Sequence, residues 1–389
     1  MQLLEIQEAL REQQLDGWLF FDHHRRDPLA YRVLNLNPPA DPTRRWYYLI
    51  PVEGEPRKLV HQIEASILDG LPGTKAAYAS WGALVDGLTR LLGGSRRVAM
   101  QYSPKCAIPS VSMVDAGTVE LIRGLGADVV SSADLIQLFE ARWDEAKLAS
   151  HMEAGRLVDS IRREAFEFAG SRIKAGAEIT EWGVRQFILS RFDSNGLVTD
   201  HGPVVAVNAN AANPHYEPVE QGSARIRRGD LLLIDLWAKL NRPGSVYYDI
   251  TWTGFCGGQP PDEIRRVFQV VREARDLAIR RVQSAVAKGE RLHGFEVDNA
   301  ARAYIKQQGY GDRFVHRTGH SIGEEVHGAG ANMDNLETHD ERRIIPWTCF
   351  SIEPGIYLDD FGIRLEVDMF VNDSRAIVTG EVQEELVLV

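Results

Sequence analysis

Leu231-Leu232-Leu233-Ile234-Asp235 and Asp249-Ile250-Thr251-Trp252-Thr253 flank the segment Asn241-Arg242-Pro243-Gly244. Asn, Pro and Gly in close succession mark a turn, so the two apolar runs read as a β-hairpin. Its midpoint falls at Arg242, which sets Asp235 opposite Asp249. The same reading applies further along the chain. Phe350-Ser351-Ile352-Glu353 and Gly362-Ile363-Arg364-Leu365-Glu366 centre on Asp359-Asp360, so Glu353 faces Glu366. Like charges directly opposed on a strand pair destabilise it. Half-buried carboxylates are worse, unless a cation pairs them. One such pair reads equally well as acids facing solvent. Two pairs, both set in apolar strands, point to a cation between them. Such an oxygen-rich set suits a hard or borderline divalent metal such as Mn2+, Mg2+ or Ca2+.

Between the two hairpins lies His316-Arg317-Thr318-Gly319-His320-Ser321-Ile322-Gly323-Glu324-Glu325-Val326-His327-Gly328, which holds three of the chain's 11 histidines. His316 and His320 are an even number of residues apart, so an extended segment presents both on one face. A neutral imidazole completing a carboxylate metal site is sensible chemistry. Arg364 precedes Glu366 by two and points the same way on a strand, poised to hold that carboxylate or one from a substrate. His215, in Asn213-Pro214-His215-Tyr216, sits in a loop before the first acidic strand, a natural place for a pocket residue.

The chain has 389 residues, 44% hydrophobic and 25% charged. That composition is ordinary for a globular protein, and the length favours two domains. Strand and helix patterns alternate through residues 1–143. Gly17–Phe21, Arg45–Pro51, Arg57–His61, Arg97–Met100 and Ala127–Ser131 read as strands, and residues 3–14 and 81–93 as helices. Gly93-Gly94 reads as a helix C-cap and not as a phosphate loop. A boundary falls near 142–146, and residues 144–389 form the second domain. There a long helix covers Asp144–Gly170 and a second starts at Thr180, its N-cap. Further helices are expected at about 261–288 and 291–308. The fold class is α/β (α+β) with two domains. No apolar stretch approaches the roughly 18 residues of a membrane helix, and the first residues do not read as a signal peptide. Three scattered cysteines make neither a disulfide framework nor a zinc knuckle, so a cytoplasmic location is expected. The net charge of −11 with no long basic run argues against nucleic acid as a partner. The short basic run His23-His24-Arg25-Arg26 reads as a solvated loop or as a clamp for a carboxylate.

The ordered set Asp235, Asp249, His320, Glu353 and Glu366 resembles the five metal ligands of the pita-bread metallopeptidases. That family includes prolidase, aminopeptidase P, methionine aminopeptidase and the metal-free creatinase. His316-x-x-Gly319-His320-x-Ile322-Gly323-x-x-Val326-His327 is similar to the signature of its proline-specific branch, and Asp249-Ile250-Thr251-x-Thr253, Glu353-Pro354-Gly355 and Gly362-x-Arg364-x-Glu366 match as well. The resemblance is specific from about residue 145 onward. The preceding α/β region is similar, with weaker motifs, to the N-terminal domain of the prolidase and creatinase branch.

The resemblance implies hydrolysis of the Xaa-Pro bond in dipeptides by water activated between two divalent ions, Mn2+ first, with Co2+, Zn2+ or Fe2+ also accepted. It implies that Asp235 binds one ion, Asp249 and Glu366 bridge, and His320 with Glu353 completes the other. Glu353 would also shuttle the proton. His215, His316, His327 and Arg364 would bind substrate, and the last three would act in catalysis. Short proline-containing peptides as partners and a homodimer follow from the same likeness. An aminopeptidase P acting on longer peptides uses the same ligands, and a binding protein on the same scaffold is the alternative of another class. The chain departs from the family pattern in a longer first hairpin, in Trp237 and Trp252, and in Gly328 after His327, which bears on pocket shape.

Overall fold

The computed structural model describes residues 2–37 and 42–389. The chain divides into two compact units, Met1–Glu140 and Ala141–Val389. The first is built from α1 (Leu3–Glu12), β1 (Gly17–Asp22), α2 (Pro28–Leu34), β2 (Trp46–Pro51), β3 (Arg57–His61), β4 (Thr74–Tyr78), α3 (Trp81–Leu92), β5 (Arg97–Met100), α4 (Ala116–Gly124), β6 (Asp128–Ser131) and α5 (Ala133–Ile136). Its six strands form one mixed sheet in the order β4-β3-β2-β1-β5-β6. β1 and β2 are buried along their whole length, which is why both read as unbroken apolar runs without alternation. Asp27, Ser80 and Asp115 cap α2, α3 and α4 by accepting from the backbone N–H three residues on, and Gly93 ends α3 in the left-handed conformation.

The second unit opens with α6 (Glu145–Lys174), capped by Asp144, and α7 (Glu181–Ser194), capped by Thr180. β7 (Leu197–Val198), β8 (Val204–Val207), β9 (Leu231–Leu240) and β10 (Tyr248–Phe255) follow, then α8 (Asp262–Lys288) and α9 (Gly294–Gln307). β11 (Ser321–Ile322), β12 (Thr348–Ile352), β13 (Gly355–Tyr357), β14 (Gly362–Arg364), β15 (Val367–Val371), β16 (Ala376–Val378) and β17 (Val387–Leu388) complete it. Two helix pairs back two sheets. The core of α6 and α7 takes in Leu232, Ile234, Leu236 and Ala238 from β9 and Tyr248 and Ile250 from β10. The core of α8 and α9 takes in Phe350 and Ile352 from β12 and Val367 and Met369 from β15.

Strand period decides what the other face carries. Even-numbered residues of β9 go to the helices. Odd-numbered Asp235 and Trp237 therefore line a cavity on the opposite face, and Leu233 packs in a small cluster there.

The first hairpin differs from the expectation of directly opposed aspartates. Asp249 pairs with Trp237, and Asp235 with Thr251. The pairing centres on Pro243, one residue later than Arg242, because Asn241–Tyr247 is a longer connection whose Tyr247 N–H bonds Gly323 O. A one-residue shift of the centre moves each partner by two, so both carboxylates stay on one face as diagonal neighbours.

The second acidic pair keeps its expected register. β12 pairs with β15 as far as Ile352↔Val367, and β13 with β14 from Gly355↔Arg364. Glu353 and Glu366 sit opposite each other in the break between the two ladders. Their backbone N–H groups leave the hairpin and bond Thr318 O (2.7 Å) and Thr251 O (3.0 Å). The break thus ties both acids to the histidine segment and to the first hairpin.

Candidate metal centre

Five candidate ligands converge in the second unit. One ligand atom each from Asp249, His320 and Glu366 lies within 4.8 Å of the others, and all three residues are buried. His320 Nε2 lies 3.4 Å from Glu353 Oε1 and 3.6 Å from Asp249 Oδ2. Its Nδ1 meets Ser321 O at 3.2 Å; a carbonyl only accepts, so Nδ1 carries the proton and the Nε2 lone pair is turned to the side where the carboxylate oxygens gather. His320 is positioned from behind by its own N–H, which bonds Ser351 Oγ, and that hydroxyl donates to Glu353. Gly319 permits the approach, since a Cβ there would stand 1.9 Å from Ser351 O.

Asp235 is engaged differently. Arg364 grips its carboxylate through Nη2, and holds Tyr357 Oη (2.9 Å) through Nη1 and Thr251 Oγ1 (3.1 Å) through Nε. Thr251 Oγ1 in turn donates to Glu366 Oε2 at 2.8 Å. Arg364 therefore arranges the acidic nest, with each of its three nitrogens bonded inside the protein. His316 is likewise committed: Nδ1 bonds Arg317 O and Nε2 takes the Tyr357 hydroxyl, both at 2.7 Å. Burial pushes the His316 pKa down to about 3, so the ring stays neutral. The ring of His327 stands edge-on to that of His320, 4.5 Å between centroids, and His215 is exposed at the rim. All nine residues singled out in the sequence line one cavity of about 390 Å³.

The donor set fits divalent metal. Burial, then the neighbouring carboxylates, push Asp249 and Glu366 well above the ordinary carboxylate range. Burial raises Glu353 to about 7, and raises Asp235 against the opposing charge of Arg364. Asp249 Oδ1 is buried and accepts no hydrogen bond. A nest of acids facing an imidazole lone pair, with an orphaned carboxylate oxygen, is costly without a cation and matches the oxygen and nitrogen donors that Mn2+ or Zn2+ takes.

Sequence reading missed several residues here. Tyr357 joins Arg364 to His316. Asp368, buried, accepts the Asp249 N–H at 2.8 Å and shows the signal that found Asp235, an acid in an apolar run. Asp200 was missed as well: it accepts the indole N–H of Trp237, the residue expected to bear on pocket shape, at 2.8 Å, and both line the cavity. Arg317 lines it too, and among the described residues makes no ion pair.

The profile of Metallopeptidase family M24 matches residues 149–373, and the chain belongs to that family, the pita-bread metallopeptidases. A putative Xaa-Pro aminopeptidase of Mycoplasma pneumoniae is 30% identical over 238 residues, 59% of this chain and 61% of that one. An Xaa-Pro dipeptidase of Pyrococcus furiosus is 32% identical over 184 residues, 47% of this chain and 48% of that one. The chain thus spans less than two thirds of the length of either relative. The crystal structure of dipeptidase PepE from Mycobacterium ulcerans is similar in fold, with a TM-score of 0.70 at 22% identity over 100% of this chain and 97% of that one. No helix among the described residues is long and apolar enough to cross a membrane.

Proposed function

We propose that the chain hydrolyses Xaa-Pro dipeptides at a centre of two divalent ions. Asp235, Asp249, His320, Glu353 and Glu366 would together hold the two ions. The ions supply Lewis acidity that makes water a nucleophile near neutral pH and polarises the scissile carbonyl. The protein does the rest. Arg364 and Thr251 fix Asp235 and Glu366 in place. Glu353, next to His320, takes the proton from the attacking water and delivers it to the leaving imino nitrogen. His327 and His215 border the substrate's path. His316, through the Tyr357 hydroxyl, steadies Arg364.

The observation that carries the dipeptide reading is Arg317. It is a cation inside the acid-lined cavity with no ion-pair partner there, whereas Arg364 already pairs with Asp235 and bonds Tyr357 and Thr251. A dipeptide places its carboxylate one residue beyond the scissile bond, and a guanidinium is the natural partner for it. Longer peptides carry no charge at that position, so aminopeptidase P activity is the second reading, favoured by the name of the Mycoplasma relative. A homodimer in the cytoplasm, with Mn2+ as the working ion, belongs to the same proposal and rests on family likeness.

The test is hydrolysis of Ala-Pro, Ala-Pro-Ala and Ala-Ala by chelated protein with and without added Mn2+. Metal-dependent cleavage confined to Ala-Pro supports the proposal. Cleavage of Ala-Pro-Ala moves the reading to aminopeptidase P. Cleavage of none with metal bound leaves a binding role.

A further inference from the structure

The first unit contains a cavity of its own, of about 630 Å³, which the proposed peptidase chemistry does not use. Its walls are cationic. Arg26, Arg44 and Arg45 line it together with His23, His24 and His61. The lining has one acid, Asp115, whose carboxylate is occupied by the Thr118 N–H and hydroxyl at 2.9 and 2.8 Å. Arg44 lies beside Glu64, which accepts its backbone N–H. Neither the Arg26 nor the Arg45 guanidinium makes an ion pair with an acid among the described residues. The Arg45 guanidinium stands 5.5 Å from the ring centroid of the exposed Trp81, at the first residue of α3, where helix N–H groups also favour negative charge.

The loop presenting these groups is built, not merely solvated. His24 and Arg25 both adopt left-handed backbone, φ +64° and +54°, a costly conformation for two successive residues with side chains. The buried carboxylate of Asp22 holds it. It accepts the N–H groups of Arg25 (2.8 Å), Arg26 (2.6 Å) and Asp27 (3.0 Å) and the hydroxyl of Tyr31 (2.8 Å). This leaves the rings of His23 and His24 4.2 Å apart at the cavity wall. Burial first, then the charges of His24, Arg26 and Arg45, disfavour the protonated form of His23, as expected where positive potential converges.

We propose that this cavity is a binding site for a small oxyanion, the carboxylate or phosphate group of a metabolite or peptide, held by Arg26 and Arg45. Guanidinium groups match the paired oxygens of both, and no such site is implied by the acid-lined centre of the second unit. The inference stands apart from the proposed peptidase reading and survives if that reading fails.

The experiment is a titration of the full chain, metal present, with inorganic phosphate and separately with acetate, followed by histidine ring resonances in NMR. Saturable shifts of the His23 and His24 signals, with a Kd of about 1 mM or tighter for at least one anion, are expected. They should weaken at least about tenfold in R26Q/R45Q. Saturation by phosphate alone identifies a phosphate ligand; equal or tighter saturation by acetate identifies a carboxylate. Shifts that do not saturate, that sodium chloride reproduces at equal ionic strength, or that persist unchanged in R26Q/R45Q overturn the proposal. Arg26 is exposed and Arg45 half-buried, and neither guanidinium makes an ion pair that the fold would lose, so the variant is expected to fold.

Discussion

Tyr357 stands between His316 and Arg364, its hydroxyl 2.7 Å from the Nε2 of one and 2.9 Å from the Nη1 of the other. Only one direction of donation is consistent. Arg364 donates to the hydroxyl, the hydroxyl donates to Nε2, and Nδ1–H donates to Arg317 O. Tyr357→Phe removes the middle of this chain and leaves two buried polar groups unsatisfied. The expected cost is about 1–3 kcal/mol of stability, read as a lower urea midpoint with an unchanged slope. An unchanged midpoint would show that water replaces the hydroxyl at no cost.

Glu366 presses against Asp249, Glu353 and Asp235 in a buried nest. Glu366→Gln removes one of these charges while keeping the shape and the contact with Thr251 Oγ1. In chelated protein at neutral pH the variant should melt at a higher temperature than the parent, because an amide spares the fold the cost of either charging or protonating a carboxyl in this nest. With Mn2+ the order should reverse, and the affinity for Mn2+ by calorimetry should fall by more than about tenfold. Equal Mn2+ affinity in the two proteins would remove Glu366 from the ligand set.

Much of this site is legible because metal ligands violate the strand pattern around them. Asp235, Asp249, Glu353 and Glu366 each stand in an apolar run, and the even spacing of strands keeps them on one face even where the register is misjudged. Counting to the middle of a turn signal fails for Asp235 and Asp249, because the connection Asn241–Tyr247 is not a tight turn and centres on Pro243. The same count succeeds for Glu353 and Glu366, since both ladders of that hairpin share one register. Asp368 carries the same signal but contacts backbone, and an acid that accepts a backbone N–H is indistinguishable in sequence from one that faces a cation. The partners of Arg364 and His316 depend on long-range contacts that spacing does not encode. In the first unit, β1 and β2 are plain in sequence. The short α2 and α4 are not, since seven and nine residues give little periodicity to read.

Arg317 is expected to set the preference for a free carboxylate. Arg317→Gln should lower kcat/KM for Ala-Pro by about tenfold to a hundredfold, the scale of a charge-assisted hydrogen bond, mostly through KM. Ala-Pro amide, which lacks the charge, should be hydrolysed by parent and variant alike. Parallel losses on both substrates would mean that Arg317 acts on the fold or the centre and not on the carboxylate.

The acidic nest also fixes a pH dependence of the metal-free protein. Burial raises Glu353 to about 7 from the ordinary value of 4.5, and burial with the neighbouring carboxylates raises Asp249 and Glu366 well above the ordinary carboxylate range. The folded state therefore keeps protons that the unfolded chain has already lost. Stability falls with pH wherever the folded state binds more protons. The contribution of Glu353 is fully present below about pH 4.5 and is lost as pH rises through about 7, and the raised Asp249 and Glu366 add to the loss in the same direction. Chelated protein should thus be a few kcal/mol less stable to urea at pH 8 than at pH 5. Saturating Mn2+ should reverse the slope, because metal binding requires deprotonated ligands. A stability that is flat in pH without metal would mean that the four carboxylates do not share one buried nest.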